Sequence, residues 1–573
     1  MIASWVYKQP KENQMTQNGI ELSRRSFVAG TGLALVSAVL GGAGLIGCSG
    51  GSSSQAAASA SSAAASAESA ASNPASIIIA IPQDAEPEFG FDPIKGWGAS
   101  GHAHNPLIQS TLLFVKDDVT LDNDLATSYT ISDDGLTWTF TIRDDVKFSN
   151  GEPLKASDAA FTFNQAKDVE SELDLSMLES AEAPNDTTLV FKLNKKYAPF
   201  AYIVAAVGIV PEKAYGDSYG ESPIGSGPLK LVQWNKGEQV IFEANKDYYG
   251  TVPSVDQVVC VFMAEEAAFA AAQAGQVDVA YTSASFSETP VDGYELVAFK
   301  SVDHREMNLP VIPTGKKVLA IDGETEVDGG NDVTCNLAVR QALSYAVDRE
   351  AIADKVFHGY ATPAYSNSPG MPWENPAAYI EYDVDKARSI MEADGWKLNG
   401  DGVYEKDGLL AEFTCTCMDD PGRQGILMAV KEMMDDFGIK IDIKGGMSWD
   451  EIDPTTYSTP NMIGGGQHSP IADIGRFYTG KNRACYSNPT VDKHMDDGLA
   501  ANSIEDCYEH FKLAAWDGKT GYVTEGDCPF VFFVTVDHLY FVKSNLQVKK
   551  DQVFPHGYGW AICNFVNEWK WNG

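Results

Sequence analysis

The chain is poor in basic residues and has only one long hydrophobic run. Lys and Arg number 42 against 79 Asp and Glu, which gives a formal net charge of -37 at pH 7. Phosphate binding needs basic stripes, and because none occurs here the sequence argues against nucleic acid as a partner. After residue 47 no apolar stretch approaches the roughly 20 residues that a membrane-spanning helix needs. We therefore expect the rest of the chain to be globular, with an acidic, well-solvated surface.

Familiar catalytic and metal-binding motifs are also missing. The chain has no HExxH zinc motif, no Walker phosphate loop, no nucleophile elbow and no tandem CxxC. It has no internal repeat of the kind that a surface scaffold would carry. These absences favour a binding protein without catalytic residues or a resident cofactor. An exported metallohydrolase is the alternative from a different class, and it would need to turn over peptides.

Cysteine is sparse and scattered. Apart from Cys48, the cysteines follow no disulfide framework. Cys415 and Cys417 lie two residues apart in a strand-like run, so their side chains should face the same side. A metal-binding pair is one interpretation, and two small residues on a buried face is the interpretation that we favour.

The first 76 residues carry two processing signals. Arg24 and Arg25 form a twin-arginine export signal within SRRSF, and an uncharged stretch with six glycines follows over 26–47. That stretch ends in LIGC, the lipobox pattern at which a bacterial lipoprotein is cleaved and acylated. We expect a signal peptide over 1–47, a lipid-bearing Cys48, and a flexible Ser/Ala/Gly tether over 48–76. The protein would then lie outside the cytoplasm, anchored to the cell membrane. An N-terminal anchor helix is the alternative.

Beyond the tether, short strands alternate with helices, which predicts α/β layers in two or three domains. The β-branched and aromatic run 138–143 predicts a strand, and Ser157 is the expected cap of the helix that follows. The helical spacing of 337–347 extends towards Asp348, so Arg340 and Asp348 are expected on one helix, in structural roles. Two more helices are predicted over 384–393 and 426–437, the second ending at Gly438 before a strand over 439–443.

Four blocks together resemble the family 5 extracellular solute-binding proteins, the peptide- and nickel-binding receptors of ABC importers. They occur in the family's order, from about residue 77 to the C-terminus. The blocks are 131–154 (ISDDGLTWTFTIRDDVKFSNGEPL), 223–234 (PIGSGPLKLVQW), 271–280 (AAQAGQVDVA) and 337–349 (LAVRQALSYAVDR).

This resemblance implies a two-lobed α/β clamshell that closes on its ligand by hinge motion. The first lobe would comprise 77–303 and 532–573, with an extra subdomain near 111–222. The second lobe would comprise 304–531. The implied partners are a small-molecule or peptide ligand and a membrane permease that detects the closed state, and we expect the receptor to act as a monomer.

The ligand is less well indicated. Many peptide binders of this family hold the peptide α-ammonium with an acidic residue in the second lobe. At the corresponding stretch this chain has Gln467 and His468, and Asp473 is the nearest carboxylate. Nickel-chelate receptors of the family instead use arginines beyond the first block, where this chain reads DVESELD over 168–174.

Histidine and tryptophan supply further candidates. Imidazoles from separate loops bind transition metals or their chelates, so His102, His104 and His556 are candidate metal ligands, with His468 near them in the family's topology. Tryptophans form aromatic walls in such clefts. The candidate wall residues are Trp97, Trp373, Trp449 and Trp560. The favoured interpretation is capture of short peptides, and a nickel or other transition-metal chelate is the alternative.

Overall fold

The computed structural model describes residues 75–99, 103–116, 118–169 and 173–572. Two mixed β-sheets and a smaller antiparallel sheet organise this part of the chain. We call the part built on the larger sheet the first lobe, and the part built on the second sheet the second lobe. Among the described residues no helix is both long and apolar enough to cross a membrane.

The first-lobe sheet has seven strands. Ser76–Pro82 lies near its centre and pairs in parallel with a strand on each side. Its sequence SIIIAIP is buried on both faces, as a central strand covered on both sides must be. In spatial order the strands are Tyr294–Phe299, His538–Lys543, Val279–Thr282, Ser76–Pro82, Gln257–Met263, Gln239–Ala244 and Leu229–Asn235.

The second-lobe sheet has six strands around His304–Asn308. In spatial order they are Ala361–Pro363, Phe530–Val536, His304–Asn308, Asn461–Gly465, Glu412–Met418 and Lys440–Met447. Phe530–Val536 belongs to this sheet, and the chain returns to the first sheet only at His538. The predicted boundary after residue 531 therefore falls inside a strand of the second lobe.

The smaller sheet forms the subdomain of the first lobe. Its strands, in spatial order, are Ala126–Ile131, Thr137–Ile142, Thr188–Leu193 and Leu178–Asn185. The predicted strand over 138–143 is confirmed as Thr137–Ile142, in which Trp138, Phe140 and Ile142 are buried and the threonines alternate outward. Short antiparallel pairs of strands join Leu113–Val115 with Leu121–Asn123, Lys316–Leu319 with Glu326–Gly329, and Leu546–Gln547 with Lys570–Trp571. Tyr404–Lys406 pairs with both Lys397–Leu398 and Leu409–Leu410.

The helices agree with the sequence pattern except at some of their ends. The α-helices are Ala156–Asp168, Phe200–Ala206, Glu265–Gln273, Leu337–Ala346, Arg349–Phe357, Val384–Ala393, Pro421–Phe437, Trp449–Ile452, Pro470–Ile474, Pro489–Leu499 and Ile504–Ala515. The prediction over 384–393 is confirmed at both ends. The predicted end of the next helix at Gly438 is also confirmed, because Gly438 has the left-handed φ of 113° that suits glycine.

Two predicted helix features are wrong. Ser157 is not a cap, because the helix begins at Ala156 with Lys155 as its N-cap, and Asp158 accepts the Lys155 backbone N–H at 2.9 Å. Asp348 does not share a helix with Arg340. The first helix ends at Ala346, and the Asp348 carboxylate caps the next helix through the backbone N–H of Ala351. Hydrophobic spacing does not reveal such a break, since the two helices bury adjacent faces in one core.

Cysteine packing follows the expected pattern. Cys415 and Cys417 are both fully buried in the second-lobe core, which confirms the interpretation of two small core residues. Among the described residues every cysteine is a free thiol.

The predicted structural role of Arg340 is explained by its contacts. Its buried guanidinium donates to the carbonyl oxygens of Thr334 (2.7 Å), Asp527 (2.8 Å) and Cys528 (3.0 Å). One side chain thus ties the first turn of its helix to the segment that leads into strand Phe530–Val536.

We expect Arg340→Met to lower the free energy of unfolding by about 3 kcal/mol, because it leaves buried carbonyl oxygens without donors. Arg388→Met is the matched control. Arg388 lies on an exposed helix face with a 3.4 Å ion pair to Asp385, so its loss should cost within about 0.5 kcal/mol. Urea-induced unfolding followed by tryptophan fluorescence measures both, and equal effects of the two substitutions would contradict the assigned role.

Candidate functional site

The two lobes are joined by crossing segments that lie side by side. One runs from Phe299 to His304 and the other from Val536 to His538. The backbone N–H of Val536 donates to the Asp303 carbonyl at 2.9 Å, and Val302 N–H donates to Phe554 O at 2.8 Å. These bonds fix the connection at the base of the space between the lobes.

Asp303 is the fully buried charge at this connection. Its carboxylate pairs with the Arg305 guanidinium, with His538 Nε2 at 3.0 Å and with His556 Nδ1 at 2.6 Å, and it accepts the Gly557 backbone N–H at 3.2 Å. Burial by itself raises the pKa of Asp303. The opposing effect of Arg305, His556 and His538 is larger and holds that pKa well below its usual value.

Glu306 forms a second buried cluster on the opposite face of the same strand. Side chains alternate along His304–Asn308, so His304 and Glu306 point to one face and Arg305 to the other. The Glu306 carboxylate pairs with Arg476 and lies 3.0 Å from His304 Nε2. Burial raises the pKa of Glu306, but Arg476 and His304 bring it below its usual value.

Three consecutive glycines separate the two clusters. A Cβ on Gly464 would lie 2.7 Å from an Arg305 nitrogen, and a Cβ on Gly465 would lie 3.2 Å from an Arg476 nitrogen. Gly466 has φ 129° and passes so close to the crossing segment that a Cβ would lie 1.9 Å from the Val302 carbonyl oxygen. The glycines therefore let charged side chains pack against both faces at this end of the strand.

Asp473 has a buried carboxylate in which only one of the two oxygens accepts hydrogen bonds from the described residues. Its Oδ2 accepts hydrogen bonds from the Ser368 hydroxyl and from Trp373 Nε1, the latter at 2.9 Å. Its Oδ1 is buried and has no hydrogen-bond partner among the described residues. Burial raises the pKa of Asp473 to about 6, even though nearby His304 and the two hydrogen bonds lower it. Trp373 also packs edge-on against Tyr202 of the subdomain, so this carboxylate lies where lobe and subdomain meet.

Arg423 is partly buried, and its guanidinium has no carboxylate within ion-pair distance in the described part of the chain. It lies in the first turn of Pro421–Phe437, where its Nη1 is 3.3 Å from the Met418 sulfur and its Nε has no hydrogen-bond partner. Burial, followed by the neighbouring charge of Arg305, lowers the pKa of Arg423. The sequence analysis missed it, although Arg423 directly follows a sheet strand, which is a common position for ligand contacts.

Sequence comparison identifies the family. Residues 120–479 match the family described as "Bacterial extracellular solute-binding proteins, family 5 Middle". The chain belongs to this family. Protein XP55 of Streptomyces lividans is 30% identical over 495 residues, which cover 81% of this chain and 84% of that protein.

Solved structures of other solute-binding proteins share the fold. NikZ from Campylobacter jejuni in complex with Ni(L-His) is 24% identical with a TM-score of 0.69, over 87% of this chain and 100% of that one. The oligopeptide-binding protein AppA from Bacillus subtilis in complex with a nonapeptide is 23% identical with a TM-score of 0.64, over 87% and 99%. The predicted family and two-lobed α/β clamshell are thus confirmed, and the chain is a bacterial extracellular solute-binding protein of family 5.

In this solute-binding protein two predicted wall tryptophans lie in the first-lobe core. The rings of Trp97 and Trp560 are 5.2 Å apart, both are nearly fully buried, and Trp560 Nε1 donates to Ala85 O at 2.7 Å. Trp449 is partly buried beside the Arg483 guanidinium. Trp373 alone among the four contacts the candidate site, through Asp473. Ligand contact by these tryptophans stays a prediction.

Of the three predicted metal-ligating histidines, His104 and His556 lie in the described ranges and contact different groups. His104 packs edge-on against Trp97 with ring centroids 4.3 Å apart, whereas His556 is bound to Asp303. Gln467 and His468 are partly buried beside the glycines, and burial lowers the pKa of His468 to about 4. Cys48, His102 and the paired arginines 24 and 25 lie outside the described residues. In the described ranges the one group of three metal-ligating side chains lies elsewhere.

Removal of the Asp303 charge should destabilise both lobes. We expect Asp303→Asn to lower the free energy of unfolding by about 3–5 kcal/mol, because it leaves the buried Arg305 without its counter-charge. Calorimetry should show a lower Tm for this variant. Asp256→Asn removes a carboxylate whose 2.7 Å pair with Lys246 is exposed, and it should cost less than about 1 kcal/mol. An unchanged Tm for Asp303→Asn would contradict the central role of this carboxylate.

Proposed function

We propose that this solute-binding protein captures short peptides of the dipeptide or oligopeptide class and delivers them to a membrane permease by closing its cleft. The observation that carries the proposal is the buried Oδ1 of Asp473, which has no hydrogen-bond partner among the described residues. A buried acceptor without a donor costs free energy, and a peptide α-ammonium between the lobes would recover it.

Arg423 complements Asp473. In a buried site, a guanidinium without a carboxylate partner favours an anionic group of the ligand, and a terminal carboxylate matches its planar donors. Two other arginines, the buried Arg305 and the partly buried Arg476, are already paired with Asp303 and Glu306. A carboxylate oxygen and a guanidinium nitrogen that both lack a hydrogen-bond partner in the described ranges suit the two ends of a zwitterion, and a short peptide with free ends is one.

A transition-metal chelate is the second candidate. His468 supports it, because its imidazole is neutral over the physiological pH range and its buried Nε2 has no hydrogen-bond partner among the described residues. A neutral imidazole nitrogen is a good ligand for nickel. The solved relative NikZ is described with Ni(L-His).

Peptides with blocked ends test the proposal. By isothermal titration calorimetry we expect a tripeptide with free ends to bind, and its N-acetylated form to bind at least about 100-fold more weakly, because the buried carboxylate loses its counter-charge. C-terminal amidation should weaken binding by at least about tenfold through Arg423. In Asp473→Asn the free and acetylated peptides should bind alike.

The control is Asp435→Asn, which removes a partly exposed carboxylate paired with Lys431 and Lys440 and should leave the preference for a free N-terminus intact. Binding of the acetylated peptide as tightly as the free one would overturn the peptide proposal. If instead nickel with histidine binds, and His468→Gln abolishes that binding, the chelate interpretation replaces it.

We also propose that Cys48 carries the lipid that anchors the receptor outside the cytoplasm, after export directed by Arg24 and Arg25. The sequence order of arginine pair, apolar run and LIGC supports this.

In a bacterial host we expect the wild type in the membrane fraction, with an acylated N-terminal peptide by mass spectrometry. Cys48→Ser should remain unprocessed and unacylated. Cys335→Ser, at a partly buried thiol of the second lobe, is the control. Acylation of the Cys48→Ser protein would contradict the anchor.

A further inference from the structure

Two helices of the second lobe form a tight antiparallel hairpin away from the crossing segments. They are Pro489–Leu499 and Ile504–Ala515, joined by four residues. Asn488 caps the first helix and Ser503 the second through their side chains. Gly498 permits the close approach, because a Cβ there would lie 2.7 Å from the Phe511 ring and 3.2 Å from His510 Cβ.

This approach brings three metal-ligating side chains together. His494 and Asp497 are three residues apart on one face of the first helix, and His510 faces them from the second. One ligand atom from each lies within 4.8 Å of the other two. The Nδ1 atoms of both histidines are buried and have no hydrogen-bond partner among the described residues. Such atoms lose hydration without compensation unless a ligand occupies the space between them.

The surroundings of His494 match those of a metal-bound imidazole. Its Nε2 lies 3.6 Å from a carboxylate oxygen of Asp517. Metal-ligating histidines commonly donate their second ring N–H to a carboxylate, which fixes the tautomer and leaves the other nitrogen for the metal. The Asp517 carboxylate, at a distance longer than a hydrogen bond, favours a proton on His494 Nε2, which leaves the buried Nδ1 available to a metal.

Asp497 is the ligand with an existing partner. Lys493 Nζ lies 2.6 Å from its carboxylate, and the Lys493 side chain is 70% exposed. Exposed ion pairs contribute little, so a divalent cation can displace this ammonium into solvent. A surface depression of about 390 Å³ opens beside Asp497 and His510, with room for a water as a further ligand.

We propose that His494, Asp497 and His510 bind one Zn²⁺ ion, with water in the fourth position. Two imidazoles and a carboxylate form a ligand set that zinc accepts in tetrahedral geometry. Bonds of 2.0–2.1 Å place tetrahedral ligand atoms roughly 3.3 Å apart, so small side-chain rotations from the present separations suffice. The ion would cross-link the two helices.

The cross-link lies next to a contact between the second lobe and the subdomain. The backbone N–H of Ala198 donates to Leu499 O at 2.8 Å, and Lys196 Nζ donates to Asn502 Oδ1 at 2.8 Å. Both acceptors lie at the end of the first helix or in its connection to the second. A metal ion that fixes the hairpin therefore steadies the surface on which the subdomain rests.

Zinc titration of the purified protein tests the site. By calorimetry with a competing chelator we expect one Zn²⁺ per chain. His494→Gln and His510→Gln should each weaken binding by at least about 100-fold, because loss of an outer-shell partner alone costs 10- to 100-fold. His358→Gln, which removes an exposed imidazole 3.7 Å from Glu288, should bind zinc as the wild type does. Circular dichroism would establish that all three variants are folded.

Diffraction at the zinc absorption edge provides an independent measurement. Crystals grown with Zn²⁺ should show an anomalous peak within bonding distance of His494, Asp497 and His510. A peak at His468 or His556 instead, no zinc binding by the wild type, or unchanged affinity in both glutamine variants would each overturn the proposal. None of these outcomes depends on the ligand of the cleft.

Discussion

The buried carboxylate of Asp303 is the interaction on which the arrangement of the two lobes depends. A lone buried charge would cost several kcal/mol, and this one is retained because Arg305, His538 and His556 converge on it. Arg305 comes from the second lobe, whereas His538 and His556 come from the first. Since the partners stand on both sides of the crossing segments, a hinge motion that opens the cleft is expected to pivot around this group.

Charge pairing around this pivot defines the space left for a ligand. Alternation along His304–Asn308 sends Arg305 to one face and Glu306 to the other, and each finds an opposite charge. The glycines at the end of the neighbouring strand let these pairs pack against the backbone. Among the described residues, Asp473 Oδ1, Arg423 Nε and His468 Nε2 are buried atoms that these pairs leave without a hydrogen-bond partner. Under the proposed function, these atoms would select the ligand.

Local features of the fold were predictable from sequence. Hydrophobic alternation identified the strand Thr137–Ile142, and periodicity with caps identified Val384–Ala393 at both ends. The failures have a common physical cause. Ser157 lies inside its helix and Asp348 caps a new one, so in both cases the sequence pattern misplaced a helix end, which tertiary packing decides. The two-lobed fold was predicted from the family resemblance, because no local sequence pattern indicates it.

The site was harder to predict because burial in a protein core and burial against a ligand leave the same trace in a sequence. Trp97 and Trp560 are the type of aromatic residue that forms the wall of a ligand cleft, yet they pack on each other in the first lobe. Trp373 is equally buried, but its indole N–H occupies one oxygen of Asp473 and so leaves the other oxygen unsatisfied. Arg423 is distinguished from paired arginines only by neighbours that come from distant segments. Candidate ligand contacts in such receptors are therefore better sought among buried polar atoms without partners than among aromatic residues or histidines.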